Sequence, residues 1–441
     1  MTAPGSLWCR SLVIAMGCAF VVAGTPANAA NFTVTSNLDD VDAVPGDGVC
    51  ATPTGVCSLR AAIQETNALL GMDTINLPRG AYSLKLGELG IIDDLVILGA
   101  GPTGTTIKNV RQARVLSIAS GATVSIDGVR VQRGQADSGA GLLNKGTATL
   151  SNISFSGNRA ASAAFGLGGG IDNSGTLTID NATFLANRAT GSGGGFGGSI
   201  YNTGTVTGSA VTFSGNFTNG CGGAIFNDGG TLTLSGATIS GNRVTNSGGG
   251  IFNQSGTVTL TAATLSRNHA KESGGGIFAY APVTLTNVTL NANSAAIGGA
   301  IVGGSYSTIT LANVTVSSNR ATQGGGGLFT DTGRVTLHNT IVAFNQPKNC
   351  DGTTAVTSLG YNLDSGTSCG LVAAGDQDNS NPTLGGLHNN GGATKTCALL
   401  LGSPAINAGD NSDCPVTDQR GDPRPAGAPA VCDIGSYEMQ P

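Results

Sequence analysis

The chain reads as an all-β protein, a parallel β-helix of about ten coils with three short strands in each. A near-constant period, strand-type alternation inside it and a Gly-rich composition low in charge predict this fold. Gly-Gly-x-Ile recurs, followed about fifteen residues later by an apolar-x-x-Asn step. The closing asparagines are Asn158, Asn187, Asn216, Asn242, Asn268, Asn293, Asn319 and Asn345, spaced by 29, 29, 26, 26, 25, 26 and 26 residues. A period in that range signals a solenoid. Within one period, Gly248 to Asn268, apolar positions at Ile251, Val258, Leu260 and Leu265 are separated by Asn, Ser and Gly. That is strand patterning, not helix patterning. Glycine makes up 71 of 441 residues, with 11% charged and 5% aromatic residues, which fits a turn-rich β chain. A single coil cannot bury its own apolar side chains. Stacking at about 4.8 Å per coil buries them and gives a rod on the order of 50 Å long. The corner asparagines are expected to take the left-handed conformation and to bond their neighbours in the next coil.

Residues 1–29 begin with Arg10, continue through the apolar run SLVIAMGCAFVVAG and reach Ala27-Asn28-Ala29. This is the three-part pattern of a secretory signal peptide, too short to span a bilayer comfortably. The expectation is an exported protein, extracellular or at the cell surface or outer membrane, with no membrane span after cleavage. Residues 30–72 form an N-terminal cap, where Leu59, Ala62, Ile63, Thr66 and Leu70 share one helical face behind Ser58 as N-cap. Residues 73–345 are the β-helix, with less regular opening coils up to residue 138. From 346 to 441 the period is lost and Asp, Asn, Pro and Cys rise, which marks a separate loop-rich cap or lateral module.

Signal removal takes away Cys9, Cys18 and Trp8 and leaves eight cysteines in an exported chain, which favours disulfides. Sequence proximity suggests Cys50 with Cys57, Cys350 with Cys369, and Cys414 with Cys432. Cys221 and Cys397 are left either as buried free thiols or as a pair, should the C-terminal region fold back along the rod.

The segment CSLRAAIQETNA resembles the CSLREA-type N-terminal domain of exported bacterial proteins. LGYNLDSGTSCG, NNGGATKTCALLLGSPAINAGD, DQRGDPRP and CDIGSYE resemble the choice-of-anchor Q C-terminal domain. The repeats are similar to polymorphic outer-membrane-protein repeats, with GGSI, GGAI and GGGI matching one motif. Phe155 to Asn158, Phe184 to Asn187 and Phe213 to Asn216 match the other. The resemblance implies a right-handed parallel β-helix of the pectin-lyase-like kind at the bacterial surface, often adhesin-like. Ala61 stands where the cap motif usually has Glu, and neither a sorting signal nor a barrel is expected after the last domain.

For catalysis on polysaccharides the chain would need clustered carboxylates. Between Gly139 and Asn345 the acids are only Asp172, Asp180, Asp228, Glu272 and Asp331, and His269, His338 and His388 lack metal spacing. No catalytic or metal residues are assigned. Outward positions carry more information. If the Gly-Gly-x-Ile isoleucines point inward, the next residues point out. That places Asp172, Tyr201, Phe226, Phe252, Phe278, Val302 and Phe329 in one stripe. Tyr201, Phe226, Phe252, Phe278 and Phe329 are the candidate ligand-binding residues, for a surface glycan or a protein partner. Alternatively the C-terminal region covers the stripe, or the parity is reversed and the rings are core.

Thr-x-Thr recurs from Thr147/Thr149 to Thr308/Thr310, with interruptions at Pro282 and Arg334, which suits an exposed strand face or an ice-binding surface. Arg159, Arg188, His269 and Arg320, with Arg243, follow the corner asparagines as solvated residues or as contacts for anionic glycans. Asp39 to Asp42, Asp376 to Asp378 and Asp410 to Asp413 are turns or could hold calcium. The GGG runs enter strands and are not phosphate loops. With 26 acids against 21 bases, nucleic acid is not an expected partner. The expected role is structural and adhesive. The alternatives are a polysaccharide lyase or glycoside hydrolase, favoured by acids gathered in a groove, and an ice-binding protein, favoured by an unobstructed Thr face.

Overall fold

The computed structural model describes residues 29–427 and 430–441, so the expected signal segment, apart from Ala29, lies outside the described residues. The described chain is a parallel β-solenoid of about 11 turns, with three parallel sheets and one short helix. The sheets hold 22, 12 and 8 strands. The largest sheet takes two segments from most coils, such as Ile171–Asn173 and Thr176–Asp180. In two coils these fuse into single strands, Ile225–Ser235 and Ile251–Thr261. The 12-stranded sheet carries the apolar-x-x-Asn step, and the 8-stranded sheet carries the short strands that begin at Arg159, Arg188 and Arg243.

Alternation places one side chain in two inside, and the parallel register stacks like on like. Ile171, Ile200, Ile225, Ile251 and Ile277 are Cα partners in sequence and fully buried. Phe155, Phe184 and Phe213 stack inside with ring centroids 5.2 and 4.8 Å apart. Full burial of each such ring contributes roughly 2–3 kcal/mol.

The corner asparagines form a buried ladder. Asn187 Nδ2 donates to Asn216 Oδ1 at 3.2 Å and to the Phe155 carbonyl one coil back at 2.9 Å, while the Asn187 amide donates to the same Asn216 Oδ1 at 2.9 Å. The pattern repeats through Asn345 and ends on Asn349. These asparagines do not themselves take the left-handed conformation. The residue before each one does: Ala186 at φ 53°, Arg267 at 55°, Ser318 at 58°, Phe344 at 59°. The turn reverses at that preceding residue so that the Asn side chain can point inward and satisfy amides that would otherwise be orphaned. A second buried ladder, Asn144, Asn173, Asn202, Asn227 and Asn253, runs along the largest sheet with Nδ2–Oδ1 distances of 2.7–2.9 Å.

At the N-terminal end the helix α1, Leu59–Thr66, covers the open core with Leu59, Ala62 and Ile63. Ser58 Oγ accepts the Ala61 amide at 3.0 Å and so is the N-cap. The helix stops at Thr66, so Leu70, expected on the same face, is 78% exposed. Arg60 pairs with Asp39 at 2.7 Å, and Glu65 accepts the amides of Gly46 and Gly48. Parallel pairing begins before the helix, with Asn31–Thr33 on Asp73–Leu77, and runs on past Asn345 through Cys350–Gly352 and Leu363–Asp364.

The disulfides are Cys50–Cys57, Cys350–Cys369 and Cys414–Cys432, as proximity suggested, with Cys221 and Cys397 free. Beyond residue 370 the chain folds back along the 12-stranded sheet. Thr264 Oγ1 donates to the Lys395 carbonyl, Thr289 Oγ1 to Gln419 Oε1 at 2.6 Å, and the Ser436 amide to Thr315 Oγ1 at 3.0 Å. The C-terminal region therefore covers this sheet, not the aromatic stripe. Cys397 faces Ser317 and Asn291, while Cys221 packs with the stripe, which explains why they do not pair. Among the described residues no helix is long and apolar enough to cross a membrane.

Candidate functional site

The residues after the inward isoleucines do point away from the main core. Tyr201, Phe226, Phe252, Phe278, Val302 and Phe329 are successive Cα partners and belong to a cluster of their own. They are not an open patch along their whole length. Phe226, Phe252 and Phe278 are only 6%, 5% and 9% exposed, stacked on one another at 5.0 Å, with Phe196, Cys221 and Ile297 packed against them.

The stripe opens at its N-terminal end. Phe165, 51% exposed, lies 5.8 Å from Phe196, which lies 4.8 Å from Phe226, and Tyr201 stacks on Phe226 at 5.7 Å. Together with Leu167, Asp228 and Gln254 they line a cleft of about 510 Å³. Phe165 and Phe196 come from the two 29-residue coils. Gly166–Leu167 and Gly195–Phe196 pair there as an extra two-stranded sheet beside the stripe. The 26-residue coil that follows has Cys221 opposite Phe196.

The polar end of the cleft is built around a phenol. Tyr201 donates to Asp228 Oδ2 at 2.8 Å, and Ser255 donates to Asp228 Oδ1 at 3.3 Å. Burial, then the hydrogen bond to Asp228, then the charges of Asp228 and Asp172 push the Tyr201 phenol well above its ordinary range. The phenol stays protonated and acts as a donor. Asp172 is the Cα partner of Tyr201, and burial raises its carboxyl, opposed by Ser138 and by the charges of Arg114 and Lys145. Two acids from different coils thus act on one phenol, an arrangement that linear spacing hides.

Other surfaces differ in kind. The Thr face is exposed and in register: Thr147, Thr176, Thr205, Thr231 and Thr257 are consecutive partners, as are Thr149, Thr178, Thr207, Thr233 and Thr259. A groove of about 450 Å³ lies where the C-terminal region meets the 12-stranded sheet, bordered by Ser214, Ser240, Arg267 and Lys395. Carboxylates of the Asp-rich stretches at 39–42 and 376–378 are taken up by backbone amides and hydroxyls, mostly of distant segments. Asp39 accepts the amides of Lys85 and Leu86, Asp42 those of Val44 and Ala51, and Asp376 takes Ser358 and Asn362. Among the described residues no group of three or more His, Cys, Asp or Glu is placed to hold a metal ion.

Residues 210–228 match the Chlamydia polymorphic membrane protein (Chlamydia_PMP) repeat. No curated protein sequence matches the chain. Among solved structures, pectate lyase Pel9A is similar at 16% identity, over 94% of this chain and 98% of that one, with a TM-score of 0.41. The A-module of Azotobacter vinelandii mannuronan C-5 epimerase AlgE4 is similar at 14% identity, over 74% and 99%, with a TM-score of 0.39. The catalytic unit of a GH87 alpha-1,3-glucanase from Streptomyces thermodiastaticus is similar at 14% identity, over 78% and 70%, with a TM-score of 0.37. None of these likenesses bears on the chemistry of this chain.

Proposed function

We propose that this protein is an exported β-helix rod with a structural and adhesive role, and that it holds a surface glycan at the Tyr201 cleft. The observation that carries the reading is the set of ring faces at Phe165, Phe196 and Tyr201 beside the polar groups of Asp228 and Gln254. Sugars present C–H faces that pack on aromatic rings and hydroxyls that need directed partners, and a largely apolar recess with a few fixed polar groups supplies both. The three disulfides and the repeat match support export.

The test is a glycan array with the purified mature protein, paired with an assay of the same polysaccharides for new reducing ends or unsaturated products. The expected result is retention without product, weakened about tenfold or more by Phe165→Ala or Tyr201→Ala, equivalent to about 1.4 kcal/mol. Product formation, or retention indifferent to both substitutions, overturns the reading. A second reading, ice binding, is favoured by the registered, uncovered Thr face. It is tested by thermal hysteresis, which Thr178→Lys with Thr207→Lys would abolish.

A further inference from the structure

The 8-stranded sheet aligns residues that look scattered in the sequence. Arg159 and Arg188 are Cα partners; the register then passes through Phe217 to Arg243, on to His269, and reaches Arg320 two coils later. The four arginines therefore stand on one line along the rod, with about 29 Å between the first and the last at 4.8 Å per coil. All four are exposed. Among the described residues none of them is in an ion pair, whereas Arg60, Arg114, Arg420 and Arg424 each hold a carboxylate. In a chain of net charge −5, a line of unpaired guanidiniums is not the product of a general excess of base. The Arg188 guanidinium lies 4.4 Å over the ring of Phe217, its Cα partner in the next coil, a cation–π contact that favours this position along the line.

We infer that this arginine line binds a linear acidic polysaccharide, laid parallel to the rod axis, through its carboxylates. Arg159 and Arg188, one coil apart, repel each other, and an anionic chain relieves that repulsion while gaining along the whole line the paired hydrogen bonds that a guanidinium fork offers a carboxylate. A protein partner would meet a row only one residue wide. An extended polyanion needs no greater width. The inference rests on the reading of this protein as a glycan-binding rod and adds the class of glycan.

The experiment compares the purified mature protein on immobilised polygalacturonate, on neutral dextran and on duplex DNA at several salt concentrations. A variant carrying Arg159→Ser, Arg188→Ser, Arg243→Ser and Arg320→Ser is set beside Arg334→Ser, which removes an exposed arginine from the Thr face. The expected result is tighter binding to polygalacturonate than to either comparator, an affinity that falls as salt rises, at least a tenfold loss in the fourfold variant and no change in Arg334→Ser. Binding to duplex DNA as tight as to polygalacturonate overturns the assignment, as does an undiminished fourfold variant whose circular dichroism and melting match the parent. Retention of neutral glycans through the cleft without a preference for polygalacturonate removes this inference alone. Retention of no glycan of any kind removes the cleft reading as well.

Discussion

The ladder coils and the C-terminal region that folds back over them bury polar groups in opposite ways. In the coils the buried polar residue is neutral, repeated and bonded to copies of itself: Asn216 to Asn242 at 2.8 Å, Asn242 to Asn268 at 2.9 Å. In the C-terminal region, beside neutral buried residues such as Gln419 and Ser436, charged side chains are buried in pairs that do not repeat. Arg420 Nη2 lies 2.8 Å from Asp418 Oδ2, and Arg424 Nε lies 3.0 Å from Glu438 Oε2, a contact that is ionic without being aligned as a hydrogen bond. A ladder spreads each loss over neighbouring rungs, whereas a single ion pair has no substitute, so the two regions should fail differently.

The largest expected effect is at the seam between them. Arg424 bonds Asn287 Oδ1 on the coils at 3.2 Å and the Gly435 carbonyl at 3.1 Å, while its partner Glu438 is fully buried. Arg424→Ala removes the counter-charge of that carboxylate and leaves it only the Ala426 and Asp433 amides, a cost of about 3–5 kcal/mol. The expected outcome is release of the C-terminal region before the coils melt, seen as protease cleavage confined to residues after about 370 while the coil fragment persists. Simultaneous loss of both regions would show that they form one cooperative unit and would break the contrast.

A smaller, local effect is expected inside the ladder. Asn242 Oδ1 accepts the Asn216 amide at 3.0 Å, and Asn242 Nδ2 donates to the Phe213 carbonyl at 3.1 Å. Asn242→Ala orphans both backbone groups in a fully buried site, at about 1–3 kcal/mol for each. Because each coil touches only its neighbours, hydrogen exchange should accelerate at Asn216 and in the adjoining coils and remain slow near Asn158 and Asn345. Uniform acceleration along the rod would count against a nearest-neighbour description.

This division also explains what could be read in advance. The period follows from spacing and the alternation of each coil, which repetition amplifies, and the three disulfides from the proximity of their cysteines, whereas alternation alone left the stripe open to an outward or a core position. The second ladder was equally present, as Asn two residues after each isoleucine from Asn173 to Asn253, but an Asn two or three residues before a Gly also reads as an ordinary turn. The left-handed positions had no signature, since Gly157, Ala186, Arg267 and Phe344 share no residue type and are held by their surroundings. The cover over the 12-stranded sheet was hidden because Thr suits a buried or an exposed strand position equally: Thr183 is exposed and Thr264 is buried. The cleft did leave a trace. The two 29-residue periods mark the coils that insert Phe165 and Phe196, and only their three-dimensional pairing shows that the insertions face Tyr201.

The smallest expected effect concerns a charge in the coils that departs from the neutral rule. Burial raises the Asp172 carboxyl in the folded protein, while in the unfolded chain it titrates near its ordinary value of about 3.9. Between those two values the folded state holds more protons than the unfolded one, so stability falls as pH rises through that window, and the loss is complete above the folded value. Asp172→Asn removes the term. The variant should melt higher than the parent at pH 7, by roughly a degree or two, and the gap should close below about pH 3.9. A gap of the same size at pH 3 and pH 7 would mean that packing against Tyr201, not ionisation, sets the difference, and Asp172 would then belong with the neutral rungs of the coil.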